Sequence, residues 1–97
     1  MEKINLIQTI VSRETGVSVE ALRGQSRKAN VILARHLSMY FCRWYSEQSL
    51  LRIAAKHGKD THGTVINACS SVDNQKETNK SYNDIYQRIL NQVKQTK

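Results

Sequence analysis

The sequence predicts an all-α fold, a compact bundle of about six helices, on three observations. Proline is absent, and the four glycines, at 16, 24, 58 and 63, are spaced like stops between segments. Apolar residues recur at intervals of three and four, the repeat of a helix with one buried face. Period-two alternation, the mark of a half-buried strand, is nowhere sustained. At 97 residues the chain is expected to form a single domain, 1–97, with a modest core.

The elements follow in order. Ile4, Ile7, Ile10 and Val11 stripe a first helix over residues 4–15, and Gly16 ends it in a left-handed turn. Ser18 caps a short second helix, Val19 to Arg23, with Glu20 in its first turn and Gly24 as its stop. Ser26 is the expected cap of a long third helix from Arg27 to Tyr45. There Leu33, Leu37, Tyr40, Phe41 and Trp44 share one face at 100° per residue, and that aromatic cluster reads as core. Lys28, Arg35 and Arg43 fall near the opposite side, together with Ile32, Met39 and Cys42, so the helix should pack on more than one flank. Ser49 caps a fourth helix, Leu50 to His57, with Leu50, Ile53 and Ala54 inward, and Gly58 terminates it. Thr61 caps a fifth, His62 to Val72, burying Val65, Ala68, Cys69 and Val72. Residues 73–80 read as a polar loop, and Tyr82, Ile85, Tyr86, Ile89 and Val93 stripe a sixth helix to about Gln95.

The net charge of +7 is concentrated. Arg23, Arg27, Lys28, Arg35, Arg43, Arg52, Lys56 and Lys59 face one acid, Glu47, within residues 23–59, and the rest of the chain is balanced. A localised basic field attracts polyanions, duplex DNA first among them. An amphipathic membrane-surface helix fits poorly, because these residues are spread over several elements. No apolar run reaches the roughly 20 residues of a bilayer span, and the N-terminus lacks a secretory stretch, so a cytoplasmic protein is expected. Cys42 and Cys69 sit among apolar residues and read as reduced core thiols. There is no CxxC, and His57 and His62 have no cysteine beside them, so neither a metal nor any other cofactor is expected. No nucleophile elbow is present. Glu14 with Glu20, or Asp60 with His62, are weak acid–base pairs, and the chain reads as a non-enzyme. His36 and His57 read as surface or half-buried residues.

Residues 50–72 have the layout of a helix-turn-helix: helix, four-residue turn, and a capped, mostly uncharged second helix. A recognition helix needs short polar side chains facing base edges and its positive N-terminus near phosphate. Gly63, Thr64, Asn67 and Ser71 satisfy the first need, and Asn67 has the geometry to pair bidentately with adenine.

Several stretches resemble the C-terminal DNA-binding domain of the bacterial replication initiator DnaA. They are Leu22-Arg23-Gly24-Gln25-Ser26-Arg27-Lys28, Ala34-Arg35-His36-Leu37-Ser38-Met39-Tyr40, Ser49-Leu50-Leu51-Arg52-Ile53-Ala54, and the run from His57 to Cys69 with its core His62-Gly63-Thr64-Val65-Ile66-Asn67-Ala68-Cys69. The resemblance spans about residues 4–93. It implies a helical bundle with a helix-turn-helix like that of the Trp repressor, and sequence-specific binding of double-stranded origin-type DNA. It further implies that Arg27, beside Lys28 in a basic loop, enters the minor groove, that Arg43 contacts the backbone, that His62 reads the major groove, and that Thr64 contacts the backbone. This chain departs from the family at Asp60 and Thr61, where a basic residue and aspartate are usual, at Gly63 in place of a hydroxyl, and at Ser70-Ser71 in place of basic residues. Thr61 lacks the carboxylate that would accept from cytosine N4. The preferred base sequence therefore stays open. No GxxxxGK[ST] phosphate loop is present, so no nucleotide cofactor is expected. The expectation is a free-standing DNA reader from a phage, plasmid or other mobile element, or a regulator competing for related sites; a protein partner in replication or its regulation is a further expectation. The alternative is a helical adaptor that keeps the fold without specific DNA reading.

Overall fold

A computed structural model describes residues 2–96 of the chain. Six helices account for the secondary structure of the described residues: α1 (Lys3–Thr15), α2 (Val19–Arg23), α3 (Ala29–Tyr45), α4 (Leu50–Ala55), α5 (His62–Thr78) and α6 (Lys80–Gln95). The all-α fold is thus as the sequence predicts. The central element is α3, which packs against α1, α2, α4, α5 and α6. Its buried residues surround it: Val31, Ala34, Leu37, Met39, Phe41 and Cys42 all join one core with Ile4, Ile7, Leu22, Ile53, Val65 and Ile89.

Glycine and serine set most boundaries. Gly16 closes α1 at φ 77°, and its N–H bonds to the Ser12 carbonyl. Ser18 and Ser49 each accept a backbone N–H of the following first turn, from Ala21 and Arg52. Two expected caps differ. Ser26 does not start α3; its hydroxyl accepts from the Lys28 N–H at 3.3 Å and turns the chain, and α3 begins at Ala29. Thr61 holds the N-cap position of α5 with extended backbone, but its hydroxyl meets that of Thr64 at 3.1 Å and caps no N–H.

The larger correction lies at 73–80. Helix α5 runs on through this stretch to Thr78, and Asn79 alone joins it to α6. The Asn79 N–H bonds to the Gln75 carbonyl, and its side chain accepts from the Tyr82 N–H, so one residue ends one helix and caps the next. The segment is polar because it lies on the surface, and Asp73 and Lys76 pair at 3.3 Å one turn apart. Lys76 then reaches the facing aromatics. Its ammonium lies 3.3 Å from the Tyr40 hydroxyl and 4.9 Å from the Tyr86 ring centroid, while the two hydroxyls meet at 3.1 Å.

Three side chains sit elsewhere than the periodicity implies. Trp44 is 56% exposed at the end of α3, outside the aromatic core of Tyr40, Phe41 and Tyr86. Arg35 is 4% exposed rather than on a basic surface. Its guanidinium donates to the carbonyls of Ala21, Leu22 and Ser26, which closes the C-terminus of α2 and fixes the following loop. His57 is fully buried. Its Nδ1 donates to the Ile53 carbonyl at 2.8 Å, and its Nε2 accepts from Ser38 Oγ at 2.6 Å and Gln8 Nε2 at 3.3 Å. Gln8, also fully buried, donates to the Lys56 carbonyl as well and accepts from Arg23 Nε at 2.9 Å.

This polar hub holds the chain between α4 and α5. Helix α4 ends at Ala55, two residues earlier than the apolar pattern implies, and residues 56–61 form the turn. Gly58 there adopts φ 73°, and two backbone bonds, Gly58 N–H to Ala55 and Lys59 N–H to Ala54, wrap the helix end. A Cβ on Gly58 would stand 2.3 Å from the Arg23 carbonyl oxygen. Gln25 Nε2 donates to the Gly58 carbonyl at 2.6 Å, so the loop after α2 is tied directly to the turn.

This packing can be tested at three positions. Burial holds the His57 imidazole down to about 4, from an ordinary 6.5. The neutral ring therefore contributes fully above about pH 6.5, and its contribution, on the order of 3 kcal/mol, is lost as the pH falls toward 4. Urea denaturation across that range is expected to show the decline; constant stability would contradict it. Gly58→Ala is expected to cost about 2–4 kcal/mol, combining a left-handed backbone with a clash against immobile backbone, and an unchanged urea midpoint would show room that the geometry denies. The Tyr82 hydroxyl is buried without a partner. Tyr82→Phe is thus expected to be neutral or to stabilise by up to about 1 kcal/mol, read by thermal denaturation.

Candidate nucleic-acid interface

The helix-turn-helix comprises α4, the turn 56–61 and α5. Its second helix buries Val65, Ala68, Cys69 and Val72. The opposite face exposes His62, Ile66, Asn67 and Ser70. Thr64 and Ser71, expected on that face, are half-buried on its flanks, and so is Gly63. No charged residue occurs between His62 and Ser71, so the outward surface of the first ten residues of α5 is neutral. Apolar Ile66, 41% exposed, stands in its middle. Sequence reasoning assigned this residue to neither face; its helical angle, one residue on from buried Val65, is the signal that places it outward.

A Cβ on Gly63 would meet nothing within 4 Å, so no packing constraint demands glycine there. Gly63 leaves backbone uncovered at the N-terminal end of a 17-residue helix, where the macrodipole is positive. Thr61, His62 and Asp60 are all exposed around that end.

Cations flank this face on two sides. An open cleft of about 260 Å³ separates the loop after α2, helix α3 and the start of α5; Arg27, Arg35, His36, Lys59 and Thr64 contribute to its walls. Lys59 is steadied by Gln25 Oε1 at 3.3 Å. Lys28 is exposed immediately before α3. Farther along α5, the Arg43 guanidinium stands beside Cys69. Burial pushes that thiol up, and the neighbouring arginine draws it the other way. Arg43 is also held over the Trp44 ring, 4.8 Å from its centroid.

Three other members of the basic window are engaged elsewhere. Arg23 donates to Gln8 and Asn5 of α1, Arg52 pairs with Glu2 at 2.7 Å, and Arg35 is taken up by three carbonyls. Of the sites the sequence singles out, the structure therefore brings together Arg27, Thr61, His62, Gly63 and Thr64 around the start of α5, with Asn67 one turn on and Arg43 on the farther flank. Lys28 adjoins the cleft only through its neighbour Arg27. Both cysteines are free and buried, and burial pushes the Cys42 thiol to about 12. Among the described residues no group of three or more His, Cys, Asp or Glu could hold a metal ion, and no helix is long and apolar enough to cross a membrane.

Comparison with known proteins agrees with this architecture. Residues 4–72 match a family described as the bacterial dnaA protein helix-turn-helix. The chain is 38% identical over 79 residues to the chromosomal replication initiator protein DnaA of Flavobacterium psychrophilum, covering 81% of this chain and 16% of that protein. It is similar to the protein of the same name from Spiroplasma citri, 32% identical over 87 residues, covering 90% of this chain and 19% of the relative. For that of Borreliella burgdorferi the figures are 30% over 94 residues, 95% and 19%. The chain thus spans less than a fifth of the length of these relatives. On the family match and the helix-turn-helix that it covers, the chain belongs to the bacterial dnaA protein helix-turn-helix family.

Proposed function

We propose that this chain binds double-stranded DNA sequence-specifically, with the exposed face of α5 in the major groove and Arg27 in the adjacent minor groove. The observation that carries the reading is electrostatic. A neutral, short-sided helix face lies between cations supplied by separate segments, Arg27 and Lys59 at its start and Arg43 on its flank. A duplex presents the complement: base edges in a groove bounded by two phosphate rows.

Each group has a role in this docking. Arg27 senses the negative potential of a narrow, A·T-rich minor groove. Lys28, Arg43 and Lys59 meet phosphates. His62 reads a base edge at the start of the helix, and Gly63 permits close approach of the backbone. Thr61 and Thr64, whose hydroxyls meet at 3.1 Å, offer donors to phosphate oxygens. Asn67 pairs with adenine, and Ile66 offers apolar contact to a thymine methyl. The relatives are named chromosomal replication initiators, which supports origin-type duplex as the target.

A second reading is a protein-interaction adaptor. Exposed Asp60 at the start of α5, and Ser70 where a cation would reach phosphate, favour it. The two readings separate by binding measurements. After selection from a random duplex library, the DNA reading predicts a steep salt dependence, about −0.9 in log–log slope for each phosphate neutralised. His62→Ala is expected to lower discrimination between selected and random duplex by about 1–3 kcal/mol. Arg43→Ala is expected to weaken all duplexes alike and flatten the salt slope by about one contact. Binding no tighter than micromolar, without preference among duplexes, would overturn the DNA reading and leave the adaptor.

A further inference from the structure

The cleft beside α5 is lined by one histidine. His36 is half-buried on α3, and the side chains around it come from every element that borders the cleft. Arg35 adjoins it on α3, Arg27 comes from the loop after α2, Lys59 from the α4–α5 turn, and Thr64 from α5. No carboxylate contributes to these walls among the described residues. The nearest in sequence, Asp60, is exposed beside Lys59.

Such a setting disfavours a protonated imidazole in the free protein. Burial, and then the Arg35 guanidinium, hold His36 below its ordinary value. The same setting suits an anion. Arg27 and Lys59 line an open, solvent-accessible space from two segments, and Thr64 lines it from α5. The cleft also lies between Arg27 and the start of α5, which the duplex reading sends into neighbouring grooves. The strand that separates two adjacent grooves is a row of phosphates. A phosphate seated here would reverse the local potential at His36 and favour the ring that donates from both nitrogens.

We propose that this cleft seats one DNA backbone phosphate with His36 as a proton-dependent ligand, so that duplex binding takes up a proton and tightens as the pH falls. The inference rests on the duplex reading above. The linkage has a definite sign: a ligand that raises a group's pKa binds more tightly to the protonated form, and each unit of rise is a factor of ten in affinity across the full titration. The other two histidines are separable. His57 is buried and stays neutral down to about 4. His62 is exposed at the start of α5 and would also feel phosphate.

The test uses the whole 97-residue chain and a labelled duplex carrying the selected site, in phosphate-free buffers of constant ionic strength from about pH 8 to about pH 5.5. The unsubstituted chain is compared with His36→Gln, so that whatever His62 contributes is common to both. The affinity of the unsubstituted chain is expected to rise on the order of tenfold toward the acid end. His36→Gln is expected to lose most of that rise. A flat profile in the unsubstituted chain, or the same rise in His36→Gln, overturns the proposal. Should His36→Gln misfold, proton NMR of the His36 ring in the unsubstituted chain decides: its pKa is expected to rise when duplex is added, and an unchanged pKa overturns the proposal. Absence of duplex binding at every pH would instead overturn the duplex reading itself.

Discussion

The placement of the interface depends on the contact between the backbone of Gly58 and the chain after α2. The Arg23 carbonyl lies where any side chain at Gly58 would begin, and Gln25 bonds across to the Gly58 carbonyl. The loop bearing Arg27 and the turn preceding His62 are therefore tied directly to each other. Around it the buried polar groups are matched. Gln8 and Ser38 satisfy His57, Gln8 also takes the Lys56 carbonyl, and Arg35 takes three carbonyls from the end of α2 and beyond. Buried polar groups of this kind specify one arrangement, because any displacement leaves a donor or acceptor unpaired. The proposed docking, with Arg27 and α5 in neighbouring grooves, needs that constancy.

The helices were largely legible in the sequence because their signals are local. Gly16, Ser18 and Ser49 act on their own turn, and the apolar stripes of α1, α5 and α6 each report one buried face. What was not legible depended on partners distant in sequence. Polarity at 73–80 suggests a loop, but a helix at the surface is equally polar there, and the facing Tyr40 and Tyr86 that engage Lys76 lie 36 and 10 residues away. Arg35 and His57 read as surface groups because their compensating carbonyls, hydroxyl and amide come from other elements. Trp44 falls near the angle of Tyr40 on its helix, yet it is exposed one turn on, and an angle says nothing about which turns a neighbour covers.

The site shows the same division. Residue types over the first ten residues of α5 reveal an uncharged, mostly short-sided stretch from sequence alone. The charge window is less informative than its size suggests, because Arg23, Arg52 and Arg35 serve the fold through Gln8 and Asn5, Glu2, and the α2 carbonyls. The cations left beside α5 are fewer, and they come from three segments. Net charge gives the sign of the field, while the hydrogen bonds that withdraw individual arginines give its shape.

Helix α5 is also asymmetric along its length, and the asymmetry follows from what its two ends do. At the N-terminal end Thr61 caps no N–H and Gly63 weakens the helix by roughly 1 kcal/mol relative to alanine. A well-capped, large-sided first turn would be more stable, but its caps would consume the N–H groups and fill the space that an approaching phosphate and base edge require. The far end compensates. Val72 is buried, Lys76 lies against two tyrosines, and Asn79 couples the last turn to α6. The extension past Val72 is thus more than a connection to α6. It anchors, from outside the candidate interface, a helix whose exposed start is thin and polar.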